Sequence, residues 1–190
     1  MASPCAAGRC WFWTLVVIGF ALDQASKFGI FAWLQLGEHV TVIPNFLHIT
    51  HNRLNHGAVF GLGGEFGPAA SLGFAALSVV AIAFILYWSR REEVARDRWL
   101  LVALALVVAG AAGNFVDRVL YQGVRDFIWL HHEFTWIRPA WRPRPFNFAV
   151  FNIADICLVV AALMLVIHTF FLQSSRPAKP AEAEAVAPTH

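Results

Sequence analysis

The stretch "WLLVALALVVAGAAGNFVDRVLYQGVRDFIWL", residues 99–130, places charges at the end of a long apolar run. It begins as an apolar run of about twenty residues, the length a helix needs to cross about 30 Å of hydrocarbon. Asn114, Asp117 and Arg118 then appear at the edge of the run, with Arg125 and Asp126 just beyond it. The stretch "FNIADICLVV", 151–160, repeats the pattern in reverse, with Asn152 and Asp155 opening an apolar run. An Asp at the bilayer centre costs about 2.5–3.5 kcal/mol, and less near an interface. Each such group therefore requires a partner, a wet cavity or a function.

Working outward, three more apolar runs of similar length stand beside 99–119: Trp11 to Phe31, Ala69 to Trp88 and Ala149 to Leu172. Of the 190 residues, 58% are hydrophobic and 14% charged, against about 25% charged in soluble domains. Lipid is the solvent that this balance fits. A net charge of +2 is too small to argue for nucleic acid as a partner, and no basic patch interleaved with aromatics is present. Three cysteines make no disulfide framework; Cys157, inside an apolar run, reads as a small buried hydrophobe. The first run resembles a secretory leader in length. Without a small-x-small site, and with apolar residues resuming at Phe28, it reads as an uncleaved span.

Orientation follows from the loops. "SRREEVARDR", 89–98, carries four arginines between two spans and is expected in the cytoplasm with both termini. Loops 32–68 and 120–148 then face outward, although Arg125, Arg138, Arg142 and Arg144 in the second run against the rule. "HVTVIPNFLHIT", 39–50, predicts short strands around a Pro44-Asn45 turn, and "VRDFIWL" and "EFTWIR" have the same character. Together they predict a small sheet on the outer membrane surface. Residues 1–172 form one four-span domain, and the Pro/Ala-rich 173–190 is expected to be a disordered cytoplasmic tail.

Within the spans, Asp23 and Lys27 at i and i+4 share a face, as a structural pair with Lys27 snorkelling or as a grip on a substrate head group. Gly110, Asn114 and Asp117 line one face of span three, and Asn152 and Asp155 one face of span four. A seam that only glued helices would use neutral amides, whose burial costs far less than a carboxylate's. Asp117, followed by Arg118, suggests a structural ion pair. Asp126 lies in extended chain that can fold over the outer mouth, and Asp155 about one turn inside span four. Two carboxylates across a cleft cannot both ionise cheaply; one keeps its proton, giving an acid and a base that activate water. No HExxH or paired-cysteine spacing supports a metal, no GxSxG elbow a serine nucleophile, and "GLGGEFG", 61–67, lacks the lysine of a phosphate loop.

These residues resemble a known family, the bacterial lipoprotein (type II) signal peptidases, over roughly 11–172. "DQASK", 23–27, is similar to its first motif, "NHGAVFG", 55–61, to its Asn-x-Gly-x-x-Phe box, "GNFVDR" and "VRDF", 113–118 and 124–127, to the third and fourth, and "FNIAD", 151–155, to the fifth. The resemblance implies an all-α polytopic protein with four transmembrane helices, a small extracytoplasmic β-cradle and a short extracytoplasmic helix. It implies a metal- and cofactor-free aspartic endopeptidase of the bacterial inner membrane, a monomer working near the outer face. The substrate would be a prolipoprotein, cut on the N-terminal side of a diacylglyceryl-modified cysteine, with membrane lipid as the other partner. Asp126 and Asp155 would be catalytic. Asn55, Gly57, Asn114, Arg118 and Asn152 would line the site, and Asp23, Lys27 and Asp117 would be its further polar positions. The Pro-, Arg- and Trp-rich stretch between the aspartates, with "IRPAWRPRPFNFAV", is longer than the family usually has. Rival readings are a small transporter or proton relay using the same aspartates, or an assembly factor whose seam only packs helices.

Overall fold

In hydrocarbon every backbone N–H and C=O must find a partner within the chain, so apolar runs of this length become helices. The computed structural model describes residues 4–57, 67–132 and 146–172. In chain order the elements are α1 Pro4–Trp33, β1 His39–Ile43, β2 Leu47–Thr50, α2 Gly67–Trp88, α3 Glu92–Ala95, α4 Arg98–Tyr121, β3 Ile128–His132, β4 Phe146–Asn147 and α5 Ile153–Ile167, which runs on into a π-helical turn, His168–Leu172. Among the described residues four helices are long and apolar enough to cross a membrane: Gly8–Trp33, Gly67–Trp88, Arg98–Tyr121 and Ile153–Leu172.

Helix α4 is the axis on which α1, α2 and α5 all pack. Its most apolar stretch is 61% buried, against 17–22% for the other three. Small residues allow this. A Cβ at Gly110 would meet Ala154 O at 2.5 Å and Leu158 Cγ at 2.8 Å, so only glycine lets α5 come this close. The outward faces, including Trp11, Leu22, Phe28, Val80, Phe84, Leu120 and Leu163, are exposed large apolar side chains, as lipid contact requires. At the α3 end Phe12, Val16, Ile85, Val94, Leu100, Leu101, Leu104, Ala105 and Val108 form the apolar core. Asp97 caps α4 there, its side chain accepting from Leu100 N at 3.1 Å.

The sheet sits at the other end, antiparallel, in the order β1-β2-β3-β4. The β1–β2 hairpin turns at Pro44-Asn45, with Asn45 left-handed at φ 58°. Pairing continues beyond the strands: Asn55 bridges Val124, and Ile128 bridges Phe151. These two bridges stitch together the chain segments that carry Asn55, Asp126 and Asn152.

One expectation changes. The fourth helix starts at Ile153 rather than Ala149, because residues 148–151 extend along β3; Phe148 N donates to Leu130 O at 3.0 Å and Phe151 N to Ile128 O at 3.0 Å. The short outer helix that the resemblance implies does not occur among the described residues; the one short helix described, α3, joins α2 to α4 at the opposite end. The strand expected in "EFTWIR", the arginines 138, 142 and 144, the glycine-rich 61–66 and the tail 173–190 lie outside the described residues.

Candidate active site

Six of the ten side chains singled out in the sequence line one cavity of about 510 Å³ at the sheet end of the bundle: Asn55, Gly57, Asn114, Arg118, Asp126 and Asp155. Its remaining wall is mostly apolar, with Phe74 and Leu77 from α2, Val107 from α4 and Leu158 from α5. Asp155 arrives on the first turn of α5, which the sequence organises locally. Asn152 is the helix N-cap. Its Oδ1 accepts from Asp155 N at 3.0 Å, and its own backbone N donates to Asp155 Oδ2 at 3.2 Å. This reciprocal pair is a capping box, and the helix N-terminus favours the carboxylate it holds. Asp126 arrives from the extended segment between α4 and β3, held in register by the Asn55–Val124 bridge.

Neutral amides join the two acids. Asn152 Nδ2 donates to Asp126 Oδ1 at 2.7 Å and to Asn114 Oδ1 at 3.0 Å. Asn114 Nδ2 donates to Asp155 Oδ1 at 2.9 Å, and Asn55 Nδ2 to Asp126 Oδ2 at 2.9 Å. Asn55 is fixed in turn by Gly57 N, which donates to its Oδ1 at 2.9 Å. Amides orient a carboxylate without cancelling its charge, so the pair keeps its mutual repulsion. Burial first, and then the Asp155 carboxylate, push Asp126 up to about 7; the Asn55 and Asn152 bonds and the Lys27 charge oppose that rise. Arg118 lies over the Phe74 ring and donates to Gly57 O at 3.2 Å, while its buried Nε has no partner among the described residues.

The other four residues stand behind the cavity. Asn152 is the buried linchpin just described. Asp23, Lys27 and Asp117 are fully buried in a charge network beneath it. Lys27 Nζ meets Asp23 Oδ2 at 2.8 Å and Asp117 Oδ2 at 3.2 Å, and donates to Asn114 Oδ1 at 3.0 Å. Lys27 therefore does not snorkel; it reaches inward and orients the amide that holds Asp155. Asp23 Oδ1 accepts from Ala154 N at 2.9 Å, tying α1 to the start of α5. Asp117 does not pair with Arg118. Its partner is Arg125, through Nη2 at 2.7 Å, Nε at 3.2 Å and the backbone N at 2.9 Å. Arg125 also donates to Gln24 Oε1 at 3.1 Å, and Gln24 donates to Asp23 Oδ2 at 2.9 Å.

Arg125 and Gln24 are the network members that sequence reasoning missed. The available signal was alternation: in extended chain, neighbours of Asp126 point the other way, so Arg125 had to face the helices behind it. Gln24 sits inside "DQASK", beside Asp23, as a neutral residue whose burial raises no alarm. Among the described residues, no group of three or more His, Cys, Asp or Glu side chains is arranged to hold a metal ion.

Comparison with known proteins adds to this geometry. A family model described as signal peptidase (SPase) II matches residues 15–171. The lipoprotein signal peptidase of Coxiella burnetii (strain RSA 493 / Nine Mile phase I) is 35% identical, covering 88% of this chain and 92% of that one. Those of Geobacillus thermodenitrificans and Pseudomonas syringae pv. tomato are each 37% identical, over 84% and 88% of this chain and 89% and 90% of theirs. A bacterial membrane enzyme solved at 2.3 Å resolution has a similar fold, with a TM-score of 0.71 and 28% identity, covering 90% of this chain and 94% of that one.

Proposed function

The chain belongs to the signal peptidase II family, and from that premise we propose that it removes signal peptides from bacterial prolipoproteins as an aspartic endopeptidase. The cut falls on the N-terminal side of a cysteine that carries a diacylglyceryl group. The protein acts as a monomer in the inner membrane with both termini cytoplasmic and the site at the outer face, an orientation supported by the four arginines of 89–98.

The observation that carries the reading is the convergence of Asp126 and Asp155 on one cavity through three asparagines. Asp126, pushed up to about 7 by burial and the Asp155 carboxylate, is the member to which we assign the shared proton. Asp155, accepting from Asn114 and from the Asn152 backbone at a helix N-terminus, is the carboxylate. Water gives a proton to Asp155 as its oxygen attacks the scissile carbonyl carbon, and Asp126 protonates the carbonyl oxygen to form a gem-diol. Collapse breaks the C–N bond; Asp155 hands its proton to the leaving amine and Asp126 recovers one from the gem-diol. The Arg118 Nε, buried beside the cavity without a partner among the described residues, orients the peptide. The apolar wall takes the lipid and the apolar flank of the signal peptide, at about 0.8 kcal/mol per buried methylene. Confinement of that lipid to the leaflet explains why carboxylates stand at span edges: the scissile bond lies there too, within reach of water.

The test is cleavage of a diacylglyceryl-modified preprolipoprotein by the purified chain in detergent, read by mass spectrometry. A product beginning at the lipid-modified cysteine, unaffected by chelators, is expected. Activity lost to chelation and restored by a divalent ion would contradict the mechanism. Proton flux into liposomes without any cleavage would favour the relay reading instead.

A further inference from the structure

Residues 54–56 run antiparallel to 123–126 through the Asn55–Val124 bridge, and paired extended chains send alternate side chains to opposite faces. One face gives Asn55, Val124 and Asp126 to the candidate active site. The other gives Leu54, His56 and Arg125 to a second cleft, of about 810 Å³, which shares no lining residue with the first. That size is within the range of small-molecule sites, about 300–1,000 Å³.

The second cleft has a polar rim and an apolar wall. Among the described residues, no carboxylate lines it. Arg53 on the rim is exposed, and its guanidinium makes no hydrogen bond or ion pair among the described residues. Arg125, already paired with Asp117, stacks over Tyr121 at 4.5 Å. His51 and His56 are each anchored through Nδ1 on a backbone carbonyl, Leu34 O and Gln122 O, both at 2.7 Å. These bonds fix the rings at the rim. The wall comes from the sheet end of α1 and the residues just after it, where Phe28 is 73% and Leu36 63% exposed and Phe31 packs on His51 at 4.1 Å. A basic rim above an apolar helix face, at the depth where a span ends, matches the division of a phospholipid into head and tails.

We propose that this cleft binds an anionic phospholipid, its phosphate on Arg53 and the imidazole rim and its acyl chains along the Phe28 face of α1. Guanidinium suits the phosphate because its planar fork donates to two oxygens at once. The lipid would rest on the reverse side of the ladder that carries Asn55 and Asp126. The inference does not depend on the chemistry proposed for those residues.

Native mass spectrometry of the full chain, released from detergent and titrated with phosphatidylglycerol, reads the site directly. Retention of one lipid is expected, about fivefold weaker in Arg53→Gln and for zwitterionic phosphatidylcholine, the worth of one basic residue against an anionic lipid. Arg53→Lys, which keeps the charge and loses the fork, should bind between the unsubstituted chain and Arg53→Gln, and melting of Arg53→Gln without added lipid should match the unsubstituted chain. Equal retention by the unsubstituted chain and Arg53→Gln, or no preference over phosphatidylcholine, would overturn the proposal. Displacement of the lipid by millimolar inorganic phosphate would show a free-anion site and overturn the lipid assignment.

Discussion

The two ends of this bundle are built from the same helices by opposite means. At the α3 end, α1 and α4 meet through Phe12, Val16, Leu101, Leu104 and Val108. At the sheet end the same two helices meet through Asp23, Lys27, Asn114 and Asp117. Apolar side chains in lipid gain little by leaving it, so the first contact is held by shape and dispersion alone. The second is held by directional bonds, each of which fixes an angle as well as a distance. Between them Gly110 and Gly113 bring α4 close to α5 and α1, and a Cβ on Gly113 would collide with the Asp23 carboxylate. The comparison teaches why the charges are tolerated. They are two acids and two bases closed on one another, and above them lie two further acids that only amides touch.

The largest loss of stability should come from opening that closed set. Asp117→Asn leaves Lys27 and Arg125 short of one buried countercharge, a change that costs about 3–5 kcal/mol. Thermal unfolding in detergent should fall sharply, while turnover of the protein that remains folded changes less than tenfold. A collapse of turnover with unchanged melting would move Asp117 into the chemistry.

A smaller effect is expected at the apolar end. Leu104→Ala leaves a cavity but loses no transfer energy from water, so about 1–3 kcal/mol remains of the usual penalty. Cleavage at a permissive temperature should be unchanged. A large drop in turnover there would mean that the two ends are not separable.

A third effect, similar in size to the second, is a slope with pH. The folded pKa of Asp126 is raised to about 7 from an unfolded value near about 3.9. The unfolded chain therefore ionises this group first, and folding loses stability as pH rises from about 4 to about 7. Between pH 5 and 8 the melting temperature of Asp126→Asn should fall less than that of the unsubstituted chain. Identical slopes would contradict the assignment of a raised pKa.

Much of this was legible in the sequence. Four runs of about twenty apolar residues sufficed for the spans, and Pro44-Asn45 between β-branched stretches for the hairpin. The cavity residues were legible because polar groups at span edges are costly enough to need a reason. What the sequence hid was pairing. Residues 148–151 are as apolar as a helix, yet they form ladder bonds with β3, which no local pattern announces. Asp117 beside Arg118 suggested a pair, but helical neighbours point in different directions, and the true partner, Arg125, comes from the chain folding back. Lys27 near a span end suggested snorkelling, and only the tertiary contact with Asp117 and Asn114 turns it inward.

In the proposed mechanism Asp126 and Asp155 act as one unit at the polar end. Single-turnover cleavage of the diacylglyceryl-modified substrate by Asp126→Asn, Asp155→Asn and the double variant tests it most directly, with melting temperature as the check on folding. Each single substitution should lower the rate by at least about 10³-fold, and the double variant should be hardly slower than either. Substantial cleavage by a well-folded Asp155→Asn protein, or losses in the two singles that multiply in the double, would contradict it.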